Sequence, residues 1–281
     1  MIKPSPILLS LTMPPKQALT SSNYYSNETD KQYLSATWFK KFMACEASAL
    51  FELHNPTEIK SIPMVVGNYV HSYFESKEAH DKFVKANEKD IKTRSGTKRA
   101  DFKKADRMIE RLEDTDLFNF IYNNPNNLKE SIVTGELFGA NWKGKIDSLN
   151  VEKGYFCDLK TTARIDNTFW DPEERMRVPW FDEYGYGLQM AAYKKLLQLK
   201  YHKPFNCYIF AVDKTDIPAV DAFQVDQQRF EDGMAKIEEY QPRLLQLLAG
   251  EIKPRRCGHC DYCKASYQPT AFKSIDDIGE I

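Results

Sequence analysis

Residues 143–162 read KGKIDSLNVEKGYFCDLKTT. Two runs rich in β-branched and aromatic residues, KIDSLNV and YFCDLKTT, flank Lys153-Gly154, and a glycine beside a polar residue between such runs predicts a tight β-hairpin. With those two residues as the loop, Asp147 falls opposite Lys160, and Asp158 lies two positions back on the same strand. Side chains alternate along a strand, so Asp158 and Lys160 share a face and the register brings Asp147 onto it. Two carboxylates and one ammonium then meet on a small patch. The bland reading is an exposed ion pair on a surface hairpin, because D-x-K triplets arise by chance. The chemical reading is phosphodiester cleavage. Hard carboxylate oxygens suit Mg²⁺ or Mn²⁺, such an ion activates water and offsets charge on phosphate, and Lys160 orients the water or takes its proton.

The bulk properties narrow the setting. A chain of 281 residues that is 42% hydrophobic can bury a substantial core. No run approaches the ~18–20 apolar residues of a membrane helix. The apolar stretch Ile7–Leu11 is too short for a secretory core, so the chain is read as cytoplasmic, without a membrane partner. Net charge is −1, so any contact with nucleic acid must be local rather than a property of the whole surface.

Working outward, residues 1–31 are rich in Pro, Ser, Thr and Asn without a sustained period, which predicts a loosely ordered arm. Ser35 is the expected N-cap of an amphipathic helix carrying Trp38, Phe39, Phe42 and Met43, with Cys45 near its middle. Taken alone, Cys45 reads as a small core residue. The stretch 64–76, MVVGNYVHSYFES, predicts a largely buried helix in which Gly67 precedes His71 by one turn and permits close approach of a neighbour. His71 is either a satisfied core residue or a neutral imidazole at a metal site. Residues 92–107 hold seven Lys or Arg around Gly96. They read equally as a solvated helix pair or as a contact to DNA phosphates through Arg94, Lys98, Arg99, Lys103 and Lys104.

After the turn cluster 123–127, SIVTGELFGANWKGKID predicts a strand, a turn at 139–141 and the first hairpin strand, with Glu136 facing either solvent or the site. Residues 166–184 form an acidic, aromatic loop too long for a passive connector; its rings pack over the core or stack on a frayed DNA end. From Gly187 onward a helix is expected, with Leu188, Ala191, Ala192, Leu196 and Leu199 on its apolar stripe. Gln189 and Tyr193, four apart, share another face, where an amide and a phenol can hold a phosphate or a water. Residues 206–212 and 223–226 read as strands, and 228–250 as a closing helix ending at Gly250.

The tail contains Cys257, Cys260 and Cys263 as C-x-x-C-x-x-C. Clustered thiols in a chain without an export signal point to a metal rather than to disulfides, the alternative being a reduced-thiol turn that binds nothing. Zinc or a four-iron cluster needs a fourth ligand, for which Cys45 and His259 are the candidates.

The ordered set G-x-x-x-H (Gly67, His71), G-K-I-D (Asp147), D-L-K-T-T (Asp158, Lys160) and Q-x-x-x-Y (Gln189, Tyr193) resembles the RecB-like branch of the PD-(D/E)XK nuclease superfamily. More narrowly, N-Y-Y-S-N-E at 23–28, the F-x-x-C-E-A-S-A segment around Cys45 and the closing C-G-H-C-D-Y-C resemble the phage and prophage exonuclease VIII, or RecE-type, group. The resemblance implies an α/β restriction-endonuclease-like core, a mixed central sheet flanked by helices, as one domain over 32–264 followed by a tail at 265–281. It implies Mg²⁺ (or Mn²⁺) at His71, Asp147 and Asp158, assistance from Lys160, and support from Gln189 and Tyr193. It further implies digestion of double-stranded DNA ends in recombination, a RecT-like single-strand annealing partner and a homo-oligomeric ring. The cysteine placement is similar to AddB and CRISPR-associated nucleases, in which one early and three late cysteines hold a four-iron (4Fe–4S) cluster, though the late spacing here is shorter. An endonuclease, and a DNA-binding or assembly module that has lost catalysis, are the competing classes.

Overall fold

The computed structural model describes residues 18–56, 60–172, 175–272 and 274–275. Of the arm expected at 1–31, residues 1–17 fall outside this range; of the tail expected at 265–281, so do 273 and 276–281. Residues 27–30 form a short helix, α1 (Asn27–Asp30), capped by Ser26.

Ser35 caps α2 (Ala36–Ala44) by accepting from the Trp38 N–H at 3.3 Å. The predicted single helix through Cys45 is broken there. Cys45 is extended, with φ −162° and ψ 105°, and α3 (Glu46–His54) starts on its far side. Next come α4 (Ile62–Glu75), α5 (Lys77–Ala86), α6 (Glu88–Ile91), α7 (Ala100–Glu113) and α8 (Asp116–Ile121). The strands are β1 (Leu128–Leu137), β2 (Ala140–Asn150), β3 (Tyr155–Thr162), β4 (Thr168–Asp171) and β5 (Met176–Pro179). The chain continues through α9 (Trp180–Glu183), α10 (Tyr186–Tyr201), β6 (Asn206–Asp213), β7 (Val220–Gln224), α11 (Gln227–Ala249) and α12 (Asp261–Ala265).

Five strands make a mixed sheet in the order β1-β2-β3-β6-β7, the expected α/β architecture with flanking helices. β3 runs parallel to β6 along its whole length, from Tyr155↔Asn206 to Thr162↔Asp213, so a crossover must join them, and α10 is part of it. The segment read as a long loop at 166–184 is in part regular: β4 and β5 pair antiparallel, and Trp180 is buried while donating its indole N–H to Ile165 O at 2.9 Å.

The central hairpin differs from its expected register. β2 and β3 pair Ser148 with Cys157 and Asn150 with Tyr155, so the connection is four residues, Val151–Gly154, rather than two. Asn150 explains the longer turn. Its side-chain oxygen accepts from the Lys153 N–H at 2.8 Å and its carbonyl from the Gly154 N–H at 3.1 Å, an Asx-type closure that outcompetes a two-residue loop. Gly154 has φ +68°, and a Cβ there would stand 3.0 Å from Pro204 O.

Contacts within the span expected as one domain gather into two compact units. The larger contains Glu58–Gly135 and Lys143–Lys236. In it, one sheet face, through Cys157, Leu159, Phe210 and Val212, packs on α4, α7 and α8 through Val70, Phe74, Met108 and Phe118. Truncating a ring as enclosed as Phe210 costs about 3–5 kcal/mol. The opposite face carries Asp158 and Lys160. α10 buries Leu188, Ala191, Ala192 and Leu196 as expected, but Leu199 is exposed and Leu197 takes a buried place.

The smaller unit contains Met1–Thr57, Glu136–Trp142 and Ile237–Ile281. Its polar centre is Gln241, fully buried: Oε1 accepts from Trp142 Nε1 at 2.9 Å, and Nε2 donates to Leu137 O and Phe138 O, each at 2.8 Å.

Candidate active site

β2 and β3 separate after Ser148–Cys157, and at that point Asp147 substitutes for the missing ladder partner. Its Oδ2 accepts from the Leu159 backbone N–H at 2.8 Å. The carboxylate is thereby fixed against β3, one residue from both Asp158 and Lys160. These two share a face and pair at 2.7 Å between Lys160 Nζ and Asp158 Oδ2. Asp147 thus lies against the D-x-K strand, by a register two residues removed from the expected one.

His71 reaches the same place from α4, with Nδ1 3.5 Å from Asp147 Oδ2. Gly67, one turn earlier, permits this approach, since a Cβ on it would lie 3.1 Å from Thr161 Oγ1 of β3. On α10, Gln189 Nε2 donates to Asp158 Oδ1 at 3.4 Å and to Tyr193 Oη at 3.2 Å. Gly144 accommodates Tyr193, whose ring carbons would stand 2.8 Å from an added Cβ. The Lys160 ammonium lies 4.3 Å from the centre of the Tyr186 ring, a cation–π contact the sequence reading missed.

Glu130 of β1 is the other unforeseen member. Ligand atoms of His71, Glu130 and Asp147 all lie within 4.8 Å of one another. Glu130 has φ +50°, a conformation costly for a non-glycine residue, and such strain is concentrated at functional sites. No periodicity announces it, because a left-handed residue interrupts the strand alternation that would. Glu136, the β1 carboxylate the sequence suggested, is exposed.

Crowding of negative charge marks the centre. Burial, then the neighbouring Asp158 carboxylate, raises Asp147 to about 7. Burial, then Asp147, raises Glu130 to about 7, although Lys145 pairs with it at 2.5 Å. Burial lowers His71, so its imidazole is a neutral donor at pH 7. Burial pulls Lys160 down, but Asp158 and other neighbours outweigh it and hold the ammonium above its ordinary range. Lys160 is therefore a cation here, not the depressed base that was one of its sequence readings. Asp158 Oδ2 is buried and faces the Lys160 ammonium at 2.7 Å. The carboxylates of Glu130 and Asp147, once deprotonated, and the neutral His71 imidazole present ligand atoms within 4.8 Å of one another, a mainly oxygen donor set that fits Mg²⁺ or Mn²⁺, with the Asp158–Lys160 pair beside it.

The predicted phosphate contacts divide. Lys98 pairs with Asp106 at 2.6 Å and donates to Tyr69 Oη at 3.0 Å, and Lys104 pairs with Asp216 at 3.0 Å. Arg99 donates to the carbonyls of Lys89 and Lys92, while Arg94 and Lys103 are exposed on the same segment.

In the smaller unit, Cys45, Cys257, Cys260 and Cys263 present sulfurs within 4.8 Å of one another, and His259 is exposed. Cys45 is the early partner because the helix break turns its thiol toward the tail. The Cys260 N–H donates to Cys257 Sγ at 3.3 Å, and this bond above all lowers the Cys257 thiol to about 6.

A mixed sheet whose middle strands bring D…D-x-K to one point beside a helical histidine defines the PD-(D/E)XK nuclease fold class. The chain belongs to the family described as PDDEXK-like domain of unknown function (DUF3799), which it matches over residues 35–266. It is similar to the crystal structure of a candidate exonuclease from Eubacterium rectale, with TM-score 0.86 and 32% identity over 94% of this chain and 98% of that one. The solved structure SSO0001 aligns at 15% identity over 81% of this chain and 91% of that one, with TM-score 0.30. No curated protein matches the sequence. Among the described residues, no helix is long and apolar enough to cross a membrane.

Proposed function

We propose that this protein is a divalent-metal-dependent deoxyribonuclease that digests duplex DNA from an end. The observation that carries the reading is the Asp147 carboxylate held on the Leu159 N–H beside the buried Asp158–Lys160 pair, with ligand atoms of Glu130 and His71 within 4.8 Å of those of Asp147. Asp147, Asp158, Glu130 and His71 would hold Mg²⁺ or Mn²⁺, which supplies Lewis acidity and neutralises charge on the phosphate. Lys160, kept cationic, stabilises the negative charge that builds on the phosphoryl oxygens as water attacks. Gln189, braced by Tyr193, fixes the Asp158 rotamer. The solved relative described as a candidate exonuclease supports an end-digesting activity over an endonuclease.

The finer reading is RecE-type: one strand is degraded to leave a single-stranded tail for an annealing partner in recombination, with a ring of subunits around DNA. It rests on the sequence motifs. A binding-only descendant would have no need for the buried Asp158–Lys160 pair, whose desolvation opposes folding. The test is incubation of end-labelled linear duplex and closed circular duplex with Mg²⁺. Loss of the linear DNA alone is expected from wild type and none from Asp158→Asn. Nicking of circles would make the protein an endonuclease, and intact linear DNA would refute the nuclease reading.

A further inference from the structure

The four-iron cluster implied by the AddB-like cysteine placement does not fit the thiols as placed. In such a cluster each cysteine binds its own iron on the outside of the cube, so the four irons hold the sulfurs apart. Here the sulfurs close in on one another: Cys45 and Cys263 are separated by 3.6 Å, Cys257 and Cys263 by 3.9 Å, and all four lie within 4.8 Å. A single tetrahedral ion with metal–sulfur bonds of about 2.3 Å sets its ligands about 3.8 Å apart. We infer that Cys45, Cys257, Cys260 and Cys263 form a closed four-thiolate site for one zinc ion.

Three further observations agree. All six cysteines of the chain are free thiols, so no disulfide competes for these four. The Cys260 N–H is 3.3 Å from Cys257 Sγ and the Cys263 N–H 3.4 Å from Cys260 Sγ, each aimed at the sulfur of the preceding cysteine, so the backbone of the tail folds around its sulfurs. The surroundings are arranged to hold the tail even before the ion: Glu46, next to Cys45, accepts from Arg243 at 2.6 Å and 2.9 Å and from the Arg255 N–H at 2.6 Å, while the Ala47 N–H donates to Arg255 O at 3.1 Å. Soft sulfur ligands exclude Mg²⁺, so this ion is separate from the one proposed at Asp147 and Asp158. All four ligands come from the protein, leaving no open coordination position, and the role is structural: the ion ties residues 257–263 to the α2–α3 break and closes a loop of some two hundred residues.

The experiment is metal analysis of the full chain purified without added metal, followed by X-ray absorption at the zinc edge. One zinc per chain with four sulfur neighbours is expected, with colourless protein and a Tm that falls when a mercurial displaces the ion from its thiols. Cys260→Ser and Cys45→Ser should lose the zinc, whereas Cys207→Ala, whose thiol is buried in β6, should retain it. Because Cys260 is only half buried, its variant reports on the site even if Cys45→Ser misfolds. Iron with inorganic sulfide and absorption near 400 nm would overturn the proposal. So would metal-free protein, or zinc with nitrogen or oxygen neighbours.

Discussion

Asp147 Oδ2 accepts the Leu159 backbone N–H at 2.8 Å just where the β2–β3 ladder has ended. A side chain has taken over a hydrogen bond that a strand would ordinarily make. The exchange pins a charged group at the opening of the sheet, beside the D-x-K strand. An amide can accept the same bond. Asp147→Asn should therefore keep the fold while removing a buried charge that burial and Asp158 disfavour. In the absence of metal, its stability to urea at pH 8 should exceed that of wild type by a few kcal/mol, on the order of 4 at most, and the two should converge only below about pH 4, where Asp147 is protonated in both the folded and the unfolded wild type. Nuclease activity should vanish, an exchange of stability for function.

The same charges set a pH dependence. Asp147 and Glu130 are both raised to about 7, well above their unfolded values near 4, so the folded state holds protons that the unfolded state releases. Stability of the metal-free protein should be greatest below about pH 4 as far as these two groups are concerned, and should be lost as pH rises through 7. Metal binding requires the deprotonated forms. The rise in Tm on adding Mn²⁺ should thus be larger at pH 8 than at pH 6, as differential scanning fluorimetry with and without metal would show; an equal rise at both values would contradict the assignment.

Lys160 is held as a cation between Asp158 and the Tyr186 ring. Lys160→Met should lower kcat by about 10²–10³-fold, typical of removing one preorganised charge stabiliser, with KM for DNA little changed. Steady-state digestion of labelled duplex separates the two parameters.

Gly144→Ala would drive a Cβ to 2.8 Å from the Tyr193 ring and displace the residue that braces Gln189. Activity should fall by at least tenfold, with a destabilisation of about 1–3 kcal/mol from overpacking. Tyr193→Phe, which keeps the ring but removes the hydroxyl, should lose activity with a smaller loss of stability. Thermal melts alongside digestion rates distinguish the two effects.

Much of this arrangement is legible in the chain. Alternation along YFCDLKTT places Asp158 with Lys160, and the i,i+4 spacing of Gln189 and Tyr193 places both on one face of α10. The register of the hairpin is not legible, because Lys153-Gly154 has the composition of a two-residue loop while the Asn150 side chain, by bonding to Lys153 N–H, selects a four-residue one. Glu130 escapes because its positive φ breaks the period by which a strand residue is assigned to a face. Cys45 is mislaid within a helix for a related reason: a hydrophobic stripe runs through the break that turns its thiol toward the tail.

Whether Asp147 and Asp158 share a divalent ion is read from diffraction by crystals soaked in Mn²⁺ and recorded for its anomalous signal. The expected result is a peak within ligand distance of oxygens from both carboxylates, absent in Asp158→Asn crystals. A peak that touches neither residue, or none at saturating Mn²⁺, would contradict it.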